Sequence, residues 1–330
     1  MADPIRLTLA LAEGSVALPD AGRIAVFAPR VGTDLRALPQ DRVEVITGFK
    51  PDADYFGGLG YTCVVAPEGR YGAAVVCLAR AKTLARALVA EAAAVTDGAI
   101  IVDGAKTDGI ESMLKECRKR VAVSAPMSKA HGKIFSFAAG PEFSDWAVGT
   151  PEPVEGGFVT APGVFSADGI DPASRFLADH LPVKMGAHVV DLGGGWGYLT
   201  ARALEREYIA QLDLVEAEHA ALTCARQNIG DPRARFHWDD ATRWQPESAV
   251  DTVIMNPPFH KGRAAEPDLG RAFIRAAAAM LKPGGQLWLV ANRHLPYEAT
   301  LAQSFAQVEE VAGDTRFKVL RAARPARKAR

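Results

Sequence analysis

Two short segments of this chain carry residue types whose order suits chemistry. The first is the tetrapeptide Asn256-Pro-Pro-Phe259, which follows the apolar run Val250–Met255. Two successive prolines fix φ and remove two backbone donors, leaving carbonyls that point outward as acceptors. A rigid corner of that kind suits an amino group attached to a ring. The side-chain oxygen of Asn256 and the carbonyl of Pro257 can receive its two N–H bonds, Pro258 stiffens the corner, and Phe259 can stack on a base that has left its helix.

The second segment is the run His188–Gly197, HVVDLGGGWG. A buried strand ends in an acid and passes through glycines into a helix, which is a nucleotide-binding turn at the carboxyl edge of an open α/β sheet. Glycine is needed where the backbone turns tightly and a ligand approaches too closely for a Cβ. The spacing Asp191-x-Gly193-x-Gly195-x-Gly197 discriminates between ligands, because a dinucleotide G-x-G-x-x-G starting at Gly193 requires glycine at 198, where Tyr198 stands. Glu216 lies 25 residues after Asp191 at the tip of the next strand, where a carboxylate can accept from both hydroxyls of a ribose. Asp239 and Asp240 follow the third strand and precede Ala241, at a place suited to an acceptor for an adenine amino group. Asp240 is the favoured one, and capping of a turn is the alternative for either.

The glycine spacing resembles the first motif of class I methyltransferases, whose loop lies against the methionyl part of S-adenosyl-L-methionine. Gly194 and Trp196 depart from the Cys and small residue commoner there. With that donor, the corner at Asn256 would direct the amine nitrogen toward the sulfonium methyl. Catalysis would rest on positioning, since the surplus proton can pass to water or a weak acceptor after transfer. A nicotinamide dehydrogenase is the reading from another enzyme class, but it lacks its third glycine and leaves Asn256–Phe259 without a task.

The elements that must position these residues follow from apolar periodicity. Strands are predicted at His188–Leu192, Ile209–Val215, Ala234–His237, Val250–Met255 and Gln286–Ala291, with helices at Tyr198–Arg206, Ala217–Asn228 and Leu269–Leu281 between them. Asp171 and Pro172 open an earlier helix as N-cap and first position. The runs Val308–Ala312 and Phe317–Arg321 should form an antiparallel hairpin closing a mostly parallel seven-stranded sheet. Upstream of the Pro/Gly-rich stretch 149–163, strands at Arg23–Phe27, Val43–Ile46, Cys63–Ala66, Ala73–Leu78, Ala99–Val102 and Val121–Val123 alternate with helices at Ala81–Val95 and Ile110–Arg120. The expected architecture is therefore α/β in two domains, 1–150 and 151–330.

Composition bounds what the chain can be. Its 330 residues are 48% hydrophobic, enough for two packed cores. With 38 Lys plus Arg against 39 Asp plus Glu, bulk charge carries no nucleic-acid signature, so any RNA contact must come from local clusters. The tail is one such cluster, with Arg316, Lys318, Arg321, Arg324, Arg327, Lys328 and Arg330. It reads equally as a solvated terminus or as phosphate contacts. Cys63, Cys77, Cys117 and Cys224 are scattered, which argues against zinc and disulfides. Neither a signal peptide nor a membrane span is expected, and a cytoplasmic monomer is.

Taken together, Pro162-Gly-Val-Phe-Ser-Ala-Asp-Gly-Ile-Asp171, Asn256-Pro-Pro-Phe-His260, Val290-Ala-Asn-Arg-His-Leu-Pro-Tyr297 and Arg316-Phe-Lys-Val319 resemble the bacterial ribosomal RNA (guanine-N2)-methyltransferases with two tandem domains, the 16S small-subunit enzymes above all. The resemblance implies two Rossmann-like class I methyltransferase domains, the first a degenerate copy that keeps the fold and helps recognise RNA. It further implies that Phe165, Asp171 and Ser174 lie close to the cofactor and that His260 borders the substrate. The expected partner is ribosomal RNA or a subunit assembly intermediate, with Lys106, Lys129, His131 and Lys133 as RNA contacts or solvated surface. Two other targets stay open: large-subunit 23S rRNA, which sister enzymes with these motifs modify, and a protein glutamine amide.

Overall fold

Uninterrupted aliphatic runs become the central strands of two sheets, because helices cover both faces and leave no side of such a strand to water. The computed structural model describes residues 6–149, 153–258, 260–261, 264–265 and 267–326, and of 260–261, 264–265 and 267 the backbone alone. The chain divides into two units, Met1–Thr150 and Pro151–Arg330.

The first unit runs α1 (Arg6–Ala12), β1 (Ile24–Phe27), β2 (Val43–Ile46), α2 (Lys50–Gly58), β3 (Thr62–Val64), β4 (Tyr71–Cys77), α3 (Lys82–Val95), β5 (Thr96–Ala105), α4 (Ile110–Cys117), β6 (Met127–Lys129) and β7 (Gly132–Ala138). Its sheet order is β3-β2-β1-β4-β5-β7-β6, parallel except that β7 is antiparallel to β5 and β6. The strand predicted at Val121–Val123 does not form. Those two valines pack against the core from a loop, and the loop makes only a local pair of bonds with β7, Ser124 N to Ser136 O (2.8 Å) and Ser136 N to Ser124 Oγ (3.0 Å). Burial alone therefore accounts for their hydrophobicity.

The second unit runs α5 (Pro172–His180), β8 (His188–Leu192), α6 (Tyr198–Leu204), β9 (Gln211–Glu216), α7 (His219–Asn228), β10 (Ala234–Trp238), β11 (Val250–Met255), β12 (His260–Lys261), β13 (Ala264–Ala265), α8 (Pro267–Met280), β14 (Leu281–Asn292), α9 (Glu298–Ser304), β15 (Phe305–Gly313) and β16 (Phe317–Pro325). The sheet order is β10-β9-β8-β11-β14-β16-β15. With the separate β12–β13 ribbon left out of the count, the strands of each unit's sheet follow the same order from its own first strand, so the two Rossmann-like domains in tandem are present. The predicted hairpin is β15–β16, antiparallel to each other and with β16 antiparallel to β14.

Alternation along the strands sends Val189, Leu212, Leu214, Ile254 and Val290 to the face covered by α5, α6 and α7. Val190, Leu192, Val215, Val253 and Met255 go to the face covered by α8 and α9. Strand order reverses between β8 and β11, which lie side by side with Asp191 opposite Ile254. The segments leaving β8 and β11 consequently open at a topological switch point, where α/β sheets bind ligands. At the hairpin, Lys318 is buried and donates to Leu295 O at 2.9 Å, and Arg321 donates to Gln286 Oε1 (3.0 Å) and Glu309 Oε1 (2.7 Å). Two cations of the basic tail thus serve the fold.

Candidate active site

The glycine turn is built by backbone geometry that a side chain would resist. Gly193, Gly195 and Gly197 all have positive φ (72°, 57° and 94°). At Gly195 an added Cβ would meet open space, so only the backbone conformation demands glycine there, and the loop stays open above it. At Gly197 it would also come within 2.6 Å of Ile229 Cδ1. The loop is tied to β9 through Gly193 N and Val215 O (2.8 Å).

Two acids back this loop. Asp191 is fully buried. Its Oδ2 accepts from Thr200 Oγ1 at 2.7 Å, and its Oδ1 is a buried acceptor with no hydrogen-bond partner. Burial pushes the Asp191 carboxyl up to about 7; the Thr200 bond opposes this and the nearby charge of Glu216 adds to it. Glu216, at the tip of β9, accepts from Gly195 N (2.9 Å) through Oε2 and from Glu218 N (2.7 Å) through Oε1. Burial raises its pKa as well, against the pull of those amide bonds.

The Asn256 corner faces the same place. Asn256 Nδ2 donates to Asp171 Oδ2 and to Ser174 Oγ, each at 2.9 Å, while Asp171 Oδ2 also accepts from Ser174 N (2.7 Å) as the N-cap of α5. Phe165, Asp171, Ser174, Gly193, Gly195 and Asn256 all line one open cleft. Asp191, Gly197, Glu216, Asp240, Pro257 and Pro258 do not line it. Pro257 is buried and Pro258 exposed next to Asn256. Phe259 lies outside the described residues, as does the side chain of His260.

Asp240 stands at the start of a turn, its Oδ1 accepting from Thr242 N (2.8 Å) and Thr242 Oγ1 (2.7 Å), and Asp239 Oδ1 accepts from Asp240 N (2.7 Å). Both aspartates thus have turn-capping bonds, the alternative raised by their sequence.

Several residues that the spacing did not single out complete the site. The indole Nε1 of Trp196 donates to Phe165 O at 3.1 Å, fastening the glycine loop to the segment before α5. That bond gives a physical reason for a bulky residue where a small one is commoner. Asn228 binds Val159 at both backbone atoms (2.7 and 2.9 Å) and Trp196 O (2.8 Å), closing the same junction. Thr200, one turn into α6, faces Asp191; its signal was only its distance from the glycines. Ser166, Tyr198 and Leu199 also line the cleft. Among the described residues, no group of three or more His, Cys, Asp or Glu side chains is placed to hold a metal ion, and no helix is long and apolar enough to cross a membrane.

The chain is similar over 94% of its length, and 90% of the other's, to the T. thermophilus 16S rRNA N2 methyltransferase RsmC, solved in complex with AdoMet and guanosine (TM-score 0.79, 26% identity). It is 39% identical over 166 residues to ribosomal RNA large subunit methyltransferase G of Ectopseudomonas mendocina (strain ymp), covering 49% of this chain and 44% of that protein. The Streptomyces avermitilis protein of the same name is 38% identical over 164 residues, 48% of this chain and 43% of its own length. The chain thus spans less than half the length of these curated relatives. The methyltransferase small domain family matches residues 155–321, which hold the whole cleft, and the chain belongs to that family.

Proposed function

We propose that the chain is an S-adenosylmethionine-dependent methyltransferase that modifies the exocyclic N2 amine of a guanine in small-subunit ribosomal RNA. The observation that carries this reading is the shared cleft: the glycine loop and the Asn256 side chain line one cavity. Similarity over nearly the whole chain to a 16S rRNA N2 methyltransferase supports the substrate class.

The residues present fit the cofactor. When bound, it supplies an electrophilic methyl group on a cationic sulfur. Asp191 has a buried oxygen without a partner, and Glu216 adds a second acid behind the loop, so a bound cation would draw both carboxyls toward their ionised forms. Gly193 and Gly195 offer close backbone approach, Phe165 an exposed aromatic ring (55% accessible), and Glu216 and Asp240 hydroxyl and amine acceptors. Asn256 and Pro257 bind and orient the target amine, Pro258 holds their corner rigid, and Phe259 stacks on the base. Because this chain's part is alignment, no strong general base is required of it.

Lys106, Lys129 and His131 are exposed near one another in the first unit, where Lys106 N donates to His131 O at 2.9 Å. We assign them to phosphate contact, with the partner being rRNA or an assembling subunit, in the cytoplasm, and the chain acting as a monomer. Large-subunit rRNA is a second reading, favoured by the names of the relatives that match about half of the chain. Mass mapping of rRNA from a strain lacking the gene tests both. A methyl group missing from a 16S guanine N2 is the expected result, a missing 23S methyl would transfer the assignment, and fully methylated rRNA would reject both.

A further inference from the structure

We infer that Asp171 and Ser174 are positioning residues that lock the Asn256 carboxamide with its oxygen turned away from them, making the corner an obligate acceptor of N–H groups. The inference rests on the proposed amine-methylating role of this cleft and assigns two of its lining residues an effect on the amine through Asn256.

A carboxamide rotated by half a turn has nearly the same shape, so its orientation is decided by its partners. Asn256 Nδ2 lies 2.9 Å from Asp171 Oδ2 and 2.9 Å from Ser174 Oγ. A carboxylate offers only acceptors, so the flipped amide would set oxygen against oxygen. Asp171 is itself held, because Oδ2 also accepts from Ser174 N at 2.7 Å at the start of α5. Ser174 is only 8% exposed, which shields the contact from competing water. The lock joins segments 85 residues apart in the chain, the helix cap and the end of β11. It has a consequence for specificity. A ring that brings an amine finds an acceptor, whereas a ring with a carbonyl at that place brings lone pairs against lone pairs.

The test uses Asp171→Ser, since Ser caps a helix as well as Asp but is one atom too short to reach Asn256. The amide then keeps Ser174 Oγ as partner, a hydroxyl that can donate or accept, so it is free to flip. With small ribosomal subunits from cells lacking the gene as substrate, kcat at saturating S-adenosylmethionine should fall by about ten-fold, with cofactor affinity followed separately by calorimetry because Asp171 also lines the cleft. Asp171→Asn is the conservative variant: the Ser174 N–H holds its amide oxygen where Asp171 Oδ2 stands, so it still accepts from Asn256 and should run about ten-fold faster than Asp171→Ser. Unchanged kcat in Asp171→Ser, or no difference between the two variants, would overturn the lock. A wild-type protein inactive on these subunits would instead reject the substrate reading. The lock is then judged by the Asn256 side-chain amide protons, which should exchange at least about ten-fold more slowly than those of an exposed asparagine and lose that protection in Asp171→Ser. Exchange at the exposed rate in the wild type would also overturn it.

Discussion

In the proposed reaction Asn256 serves the target amine and Glu216, behind the glycine loop, serves the cofactor, and single substitutions should separate the two. Asn256→Ala removes one of two proposed acceptors for the amine, so kcat should fall by roughly a hundred-fold with cofactor affinity nearly unchanged. Single-turnover kinetics beside calorimetry checks this, and retained activity would remove the role of that oxygen. Glu216→Ala takes away the carboxylate that holds Gly195 N and Glu218 N and the proposed ribose partner. Its expected effect is the converse, a loss of about 1.5–3 kcal/mol in S-adenosylmethionine binding. NAD should bind neither protein.

At the scale of elements, the glycine loop depends on its fastening as much as on its glycines. Trp196→Phe keeps a ring against Phe158 and Tyr198, whose centroids lie 5.2 and 6.1 Å from that of Trp196, but deletes the bond to Phe165 O. A loss of about 1 kcal/mol of cofactor affinity should follow, with little change in unfolding. Gly197→Ala should behave oppositely, because a Cβ at φ 94° pressed to 2.6 Å from Ile229 strains the start of α6 itself. A drop of roughly 1–3 kcal/mol in urea stability is expected there.

For the molecule as a whole, two buried acids give stability opposite pH slopes. Asp213 is held by His237 Nε2 (2.7 Å), His188 Nε2 (2.5 Å) and Gln211 Nε2 (2.8 Å), and these bonds outweigh its burial to bring its carboxyl down to about 2. Its folded pKa is below the unfolded value of 3.8, so its contribution, roughly 2 kcal/mol, is present above pH 4 and disappears toward pH 2. Asp191 is the reverse case. With its folded pKa raised to about 7, the native state keeps a proton the unfolded chain loses, and stability falls as pH rises from about 4 to 7. Urea midpoints read by tryptophan fluorescence test both, because four of the five tryptophans (Trp196, Trp238, Trp244 and Trp288) belong to the second unit. Asp191→Asn should flatten the dependence between pH 4 and 7, and Asp213→Asn the one below pH 4.

The linear chain by itself determined where the central strands lie, because strands buried on both faces must be written as continuous aliphatic runs. It equally determined the glycine turn and the Asn-Pro-Pro corner, whose backbone demands are local. Shorter or edge elements escaped: α1, α2, α9 and the β6–β7 pair carry weak periodicity, and Val121–Val123 has a strand's composition without a strand's partner. Only the tertiary structure decided that Asp171 and Ser174 touch Asn256, that Trp196 reaches Phe165, and that Lys318 is buried in the hairpin. Each is a contact between residues 23 or more positions apart, set by strand order and register, which pairwise spacing along a chain does not encode.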